Sequence, residues 1–311
     1  MACVNGACVD RDDAGTDGGR DAGEDAAAPD TGTDDTGPAD AGSDAGSDAG
    51  DDAGADAGPA SCLGMRRPPI LLYRFDDPDP SVVSDSAPLA PNIDLAATGF
   101  TISGGAAQVV TGSAASTLEE GETLAARLVD TGAFTVEAWV LPRDLVVEEP
   151  IGPERMVTLS AHQGRRAFTF GLRDEQLVGR LSTSTTEDNG TNCILSEPLP
   201  DGGFLGPNVE LLGPRFRTSG DAVQVVVAFR NGRVPELYMD GVQVMIDYEC
   251  EPGDLNWELL NLRFVLGDEA QLDGMRQYEG RYDRVALYDR YMNSSEVACW
   301  FAEGPDHPVV E

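Results

Sequence analysis

Carboxylates dominate the chemistry open to this chain. Its 311 residues hold 55 Asp plus Glu against 21 basic residues, every one of them Arg, and two His. Hydrolysing a glycosidic bond takes two carboxylates about 5–10 Å apart across a cleft. On a strand, two side chains share a face only at alternate positions. No stretch with strand character carries such a pair. Glu137 is followed by Ala138 and Trp139, and Asp240, on the far side of Leu237 to Met239 from Glu236, is needed for a turn. Glu119, Glu120 and Glu122 fall in an expected loop. The chain is therefore expected not to be an enzyme.

Metal and nucleophile chemistry are equally thin. His162 and His307 show no metal-ligand spacing and no Cys-His context, and both are expected in solvent. Calcium is the one cofactor the composition invites, since it takes about six to eight oxygen ligands from carboxylates and carbonyls. Asp268, Glu269, Asp273 and Glu279, or Asp247 and Glu249, can contribute. No spacing singles out a set, so the ligands stay unassigned. Sugar binding asks for an aromatic ring flanked by amide or carboxylate groups. Trp257, between Asn256 and Glu258, and Tyr278, in the acidic stretch, are the two ligand-binding candidates. For each, burial in a core is the competing role. Asn189-Gly190-Thr191 and Asn293-Ser294-Ser295 match the glycosylation acceptor pattern.

The elements that must position these residues centre on Phe134-Thr135-Val136-Glu137-Ala138-Trp139-Val140-Leu141-Pro142. Phe134, Val136, Ala138 and Val140 fall on one face, and Thr135, Glu137 and Trp139 on the other. That alternation predicts a strand covered on both sides, ended by Pro142. Ile70 to Asp77 predicts the first strand, broken by Pro78 and Pro80. Residues 81–130 read as short apolar pieces and loops. Further strands are expected over 156–160, 167–172, 176–183, 223–229, 236–239, 242–246, 263–267 and 282–288, about a dozen in all. Asp240-Gly241 is the strongest hairpin signal. Residues 198–221 read as a long surface loop. Turn signals every 8–15 residues suit a sandwich or barrel of short antiparallel strands. One helix is predicted near 294–303, with Asn293 and Glu296 as a capping box and Val297, Trp300 and Phe301 as its apolar stripe.

The N-terminal fifth is different. Residues 1–61 contain no aromatic side chain and hold 16 acids against Arg11 and Arg20. That leaves −20 of the chain's −34 for the remainder, so both parts repel nucleic acid and anionic membranes. Residues 10–61 repeat Asp-Ala-Gly and have too little apolar surface to offset the ordering cost of about 1–2 kcal/mol per residue. They are expected to be a disordered acidic spacer. In residues 1–9, Cys3 and Cys8 flank the turn dipeptide Asn5-Gly6. They read either as a small Cys3–Cys8 loop or as the remnant of a longer cysteine-rich module, with a lipidated Cys3 as a third reading. No apolar run is long enough for a transmembrane helix, and Met1-Ala2-Cys3 leaves no room for a leader. Six cysteines argue for an oxidising compartment. The conflict is resolved if a hydrophobic leader precedes the sequence given.

Four segments in order carry a family resemblance: Phe134 to Val140, Leu237-Tyr238-Met239-Asp240-Gly241-Val242, Gly280 to Arg290, and Ser295-Glu296-Val297. Leu72 to Asp76, Asn92 to Leu95 and Arg155 to Ser160 fit as well. This pattern resembles the laminin-G-like, concanavalin-A-like lectin/glucanase domain of bacterial surface proteins, over roughly residues 68–305. The resemblance implies an all-β jelly-roll sandwich of two antiparallel sheets with its first and last strands adjacent. The expected organisation is a Cys-containing segment 1–9, a spacer 10–61, a jelly-roll domain 62–305 with one short C-terminal helix, and a tail 306–311. Adjacent ends imply a Cys62–Cys299 disulfide, and Cys193 and Cys250, which flank the second half of the sandwich, are expected to pair. Laminin-G-like domains often carry calcium at a sandwich edge. The hydrolases of this fold place their carboxylates on one strand face, a pattern this chain lacks. The function implied is non-catalytic recognition or adhesion in an extracellular or cell-surface protein, lipid-anchored through the leader. Its partner would be a polysaccharide or a surface protein. A structural display domain is the alternative, and a glycoside hydrolase or lyase the third reading.

Overall fold

The computed structural model describes Ala2–Val4, Ala7–Val9, Cys62, and residues 67–145, 154–162, 164–173, 176–186, 194–195, 216–244, 251–257, 261–269 and 277–306. The chain forms two units, Met1–Gly54 and Ala55–Glu311. In the first, strand β1 (Ala2–Val4) pairs antiparallel with β2 (Ala7–Val9), and Cys3 stands opposite Cys8 in the register. The side chains of Cys3 and Cys8, and all of Cys193 and Cys250, lie outside the described residues.

The second unit is a curled antiparallel sheet. Its strands are β3 (Leu71–Tyr73), β4 (Val82–Val83), β5 (Leu95–Ser103), β6 (Ala106–Ala115), β7 (Ala133–Pro142), β8 (Glu154–His162), β9 (Arg165–Arg173), β10 (Gln176–Leu181), β11 (Ile194–Leu195), β12 (Val223–Arg230), β13 (Glu236–Met239), β14 (Val242–Val244), β15 (Arg263–Leu266) and β16 (Gly280–Tyr288). The hydrogen-bonded order is β11-β10-β9-β8-β15-β6-β16-β7-β12-β13-β14. The jelly-roll is present, with its two layers hydrogen-bonded into one continuous sheet. The join is β6, whose end (Ala114, Ala115) pairs with β15 while its start (Ala107 to Val109) pairs with β16. The ribbon of β5 and β6 bends where a register shift falls between Thr98 and Phe100. Gly99 and Gly112 meet at that bend. A Cβ on Gly99 would lie 1.8 Å from Thr111 O, and one on Gly112 2.0 Å from Thr98 O. Only bare backbones can approach so closely.

The strand expected at the centre is there. β7 lies between β12 and β16, and Phe134, Val136, Ala138 and Val140 enter the main core. Val223, Val225, Val227 and Phe229 of β12 do the same. Phe168, Phe170 and Leu172 of β9 face them from the other layer. First and last strands are adjacent, β3 on β16.

The outer side of the β3-β16-β7-β12-β13 layer is covered by helix α2 (Ser294–Glu303). A second buried cluster, including Val226, Tyr238, Ala286, Tyr288, Val297 and Trp300, fills that interface. Asn293 and Glu296 form the predicted capping box. A disulfide joins Cys62 to Cys299 with the Cα atoms 5.9 Å apart, tying the entry to β3 onto α2.

One element corrects the sequence reading. Leu118–Thr131, expected as loop, is a 14-residue helix, α1. Thr117 caps it, Glu120 closes a capping box, and Gly132 ends it. Leu124, Ala125 and Leu128 enter the main core. Thr-x-x-Glu followed by apolar residues three and four apart is a helix-start signal, so the clue was present. The described residues therefore hold two helices rather than one.

Candidate functional site in the outer face of the β15-β8-β9 layer

Cross-strand register assembles a polar surface on the side of this layer facing away from the core. Ser160 of β8 stands opposite Arg263 of β15 and Arg166 of β9. Two residues back, Thr158 stands opposite Val265 and Thr169, and Thr169 opposite Arg180 of β10. The intervening Leu159, Phe168 and Phe264 point into the core. Strict alternation would place Arg166 with Phe168, and Arg155 with Val157. A bulge at Ala167 and another at Met156 break that phase. Both extra residues stay in the core, and both arginines turn outward, the re-aiming that bulges produce.

The two guanidiniums converge on Glu269. Arg155 Nη1 lies 2.5 Å from Glu269 Oε2, and Arg166 donates from Nε to Glu269 Oε1. All three side chains are buried. Beside them Thr158 donates from Oγ1 to the Asp268 carbonyl at 3.3 Å, and Gln277 donates from Nε2 to Asp268 Oδ2 at 3.1 Å.

Two hollows share residues of this ion pair. The first, a cavity of about 230 Å³, lies beside Trp257 and Asn256, with Arg166, Ser182, Thr183 and Ser184 in its wall. The second, a groove of about 560 Å³, has Thr98, Ser113 and Ala115 in its floor, with Arg263, Glu269 and Glu119 around it. Arg166 lines the first and its partner Glu269 lines the second.

The two aromatic candidates are placed apart. Trp257 is 7 % exposed. Its ring packs against Phe134 and Phe168 at 5.9 and 6.0 Å, and its Nε1 donates to the Ser182 carbonyl at 2.8 Å. It belongs to the core and offers the cavity only part of its surface. Tyr278 is fully buried, packs on Tyr282 at 5.0 Å and donates from its hydroxyl to the Arg281 carbonyl at 3.3 Å. Burial pushes its phenol well up from the usual value. It lines neither hollow.

The other singled-out residues are engaged elsewhere. Glu137 is buried under α2, where its Oε1 accepts from Trp139 Nε1 at 3.0 Å and Gln224 Nε2 at 2.9 Å, and Arg284 Nε faces Oε2 at 3.6 Å. Glu236 accepts from the Tyr291 hydroxyl at 2.8 Å, Asp240 accepts from Gln224 N at 3.0 Å, and Glu279 pairs with Arg143 at 3.0 Å. His162 is exposed, its Nδ1 accepting from Gly164 N at 3.1 Å. Glu258, Asp247, Glu249, Asp273, His307 and Asn189 to Thr191 lie outside the described residues. Among the described residues no group of three or more His, Cys, Asp or Glu is placed to hold a metal ion. Among them, too, no helix is long and apolar enough to cross a membrane.

The sequence reading missed Arg155, Arg166, Arg263 and the hydroxyl run Ser182 to Thr186. The hydroxyl run was visible as a composition. The arginines were hidden by the bulges.

A two-layer antiparallel jelly-roll with a polar outer face on one layer defines a lectin/glucanase type of domain, and the comparisons agree. A laminin-G-type profile, described as the concanavalin A-like lectin/glucanases superfamily, matches residues 115–298. The chain belongs to that superfamily. No curated protein sequence matches it. Among solved structures it is similar to botulinum neurotoxin type C, with TM-score 0.53 and 11% identity over 78% of this chain and 53% of that one. It is also similar to the receptor binding domain of a botulinum neurotoxin of mosaic serotype C/D, with TM-score 0.51 and 9% identity over 76% of this chain and 51% of that one. A Trypanosoma rangeli sialidase aligns at TM-score 0.48 and 15% identity, over 76% of this chain and 33% of that one. The chain thus spans between a third and about half of these proteins' lengths.

Proposed function

We propose that the domain is a non-catalytic recognition module of a secreted or cell-surface protein, and that it binds carbohydrate in the cavity beside Trp257. The lining of that cavity carries the reading. Ser182, Thr183, Ser184 and Thr186 supply hydroxyls and Asn256 an amide, so donors and acceptors converge where sugar hydroxyls need both. Among the described residues that line the cavity there is no carboxylate, which supports binding over hydrolysis. A volume of about 230 Å³ suits a single sugar ring at the end or side of a larger glycan. A botulinum neurotoxin of similar fold enters cells through interaction with ganglioside molecules, which supports a carbohydrate ligand. The Cys62–Cys299 disulfide supports an oxidising, extracellular setting. A lipid anchor, through a leader preceding the sequence given, would place the module on the cell surface.

A glycan array probed with the full chain, in calcium and again in chelator, tests the reading. Binding that Asn256→Ala and Ser184→Ala abolish while the unfolding midpoint stays put is the expected result. Retention of no glycan would sink it in favour of a display domain without a ligand. Release of soluble sugars from polysaccharide would instead establish an enzyme. Glu137→Gln would leave such activity intact, because Glu137 is sealed beneath α2.

A further inference from the structure

Many arginines of this domain are answered by a carboxylate. Arg127 pairs with Asp289, Arg155 and Arg166 with Glu269, Arg217 with Asp240, Arg284 with Glu137, and Arg290 with Glu296. Carboxylates outnumber arginines 55 to 21, so partners are plentiful. Arg263 is the exception in the polar face. It is half-buried, and among the described residues no hydrogen bond or ion pair reaches its guanidinium. It stands across from Ser160, on the far side from Arg166, and it lines the groove of about 560 Å³.

Withdrawing a cation from water costs free energy that a partner normally returns. Here the partner's place is open groove. Of the two carboxylates among its described lining residues, Glu269 already serves two guanidiniums, and Glu119 is exposed in the first turn of α1. The floor beside Arg263 carries the hydroxyls of Thr98 and Ser113. A planar guanidinium presents a fork that matches a carboxylate or a sulfate with two parallel hydrogen bonds. Hydroxyls beside it suit a sugar ring that bears the anion.

We infer that this groove is a second binding site, which takes an anionic sugar unit, a carboxylate- or sulfate-bearing one, through a two-point contact to Arg263. The inference rests on the carbohydrate-recognition reading and adds the ligand's charge. The sign is informative, because a net charge of −34 disfavours polyanions overall. Attraction must therefore come from a built site.

The test is titration of the full chain with three polymers of matched length: a neutral glucan, a polyuronate and a sulfated glucan, at about 50 mM salt, where exposed charges still act. One charged polymer is expected to bind at least about tenfold more tightly than the neutral one. Whether the polyuronate or the sulfated polymer wins assigns the anion. Arg263→Gln is expected to abolish the preference. Arg263→Lys, which keeps the charge and loses the fork, retains part of it. Glu119→Gln, which removes the repelling carboxylate at the mouth, strengthens binding. Among the described residues the Arg263 side chain makes no hydrogen bond or ion pair, so these variants should unfold at the wild-type midpoint. Equal binding of neutral and charged polymers, or a preference that survives Arg263→Gln, overturns the inference. If Asn256→Ala still abolishes binding of the neutral glucan in that case, carbohydrate recognition stands and only the second site is lost. If none of the polymers binds, both fail.

Discussion

Arg166 and Glu269 bond across 103 residues of sequence, and neither side chain is open to solvent. Arg155 occupies the other carboxylate oxygen at 2.5 Å. One negative charge thus holds two positive ones where water cannot replace it. Removing one partner of a buried pair costs about 3–5 kcal/mol, chiefly because the survivor keeps its desolvation penalty. Glu269→Ala is expected to destabilise the domain by at least that much in urea unfolding. Adding Arg155→Met and Arg166→Met to a Glu269→Leu background should recover most of the loss, since an apolar replacement of the whole group is often neutral. A single Glu269→Ala cost below about 1 kcal/mol would show that the group is solvated after all.

The same three residues mark the limit of what the sequence discloses. Period-2 alternation identified β7, β9 and β12, because nothing interrupts it between Phe134 and Val140, Phe168 and Leu172, or Val223 and Phe229. The Asp240-Gly241 turn and the Asn293/Glu296 cap were legible because their determinants lie within four residues of one another. Arg155 and Arg166 were not, because each lies just beyond a bulge, and a bulge is decided by the partner strand. Trp257 was legible as an aromatic beside an amide, but its neighbours Phe134, Phe168 and Ser182 are 75 or more residues away. Helix α1 had a readable cap at Thr117 and Glu120. Its glutamates and Gly121 diluted the apolar spacing that would have extended the reading.

Gly121 also reverses an ordinary rule. Replacing a mid-helix glycine with alanine usually stabilises by up to about 1 kcal/mol. In α1 a Cβ at this position would lie 2.2 Å from the Leu262 carbonyl oxygen and 2.7 Å from Arg263 Cα. The helix must move off β15, which disturbs the Leu124, Ala125 and Leu128 contacts with the core. Gly121→Ala is expected to cost about 1–3 kcal/mol by overpacking. A variant as stable as wild type in thermal unfolding would mean that α1 does not sit this close to β15.

The Cys62–Cys299 bridge closes a loop spanning 237 residues, nearly the whole second unit. Cross-linking so long a loop stabilises mainly by restricting the unfolded chain, by about 2–5 kcal/mol. The double variant Cys62→Ala, Cys299→Ala should therefore unfold at lower denaturant with a larger slope, because the freed unfolded chain exposes more surface. Binding in the Trp257 cavity should persist, since the bridge ties α2 to the opposite layer. Loss of glycan binding without loss of stability would contradict that separation.

Glu154, the first residue of β8, sets a pH dependence with a definite sign. Burial pushes its carboxyl up to about 7, the Glu279 and Asp144 carboxylates add to the shift, and a hydrogen bond from the Glu279 backbone N–H opposes it. Its Oε2 is enclosed with no hydrogen-bond partner among the described residues. The folded state therefore holds this proton more tightly than the unfolded chain, whose carboxyl titrates near 4.5. Its contribution to stability is full below about 4.5 and is lost as pH rises through about 7, the reverse of an ion-paired carboxylate. Glutamine mimics the protonated form. Glu154→Gln should accordingly match wild type in melting temperature near pH 4.5 and exceed it above pH 7, the gap opening between those values. Thermal unfolding of both proteins across that range checks this. A gap that is constant with pH, or one that widens toward acid, would show that Glu154 is ionised in the fold and that Asp144 and Glu279 do not press on it.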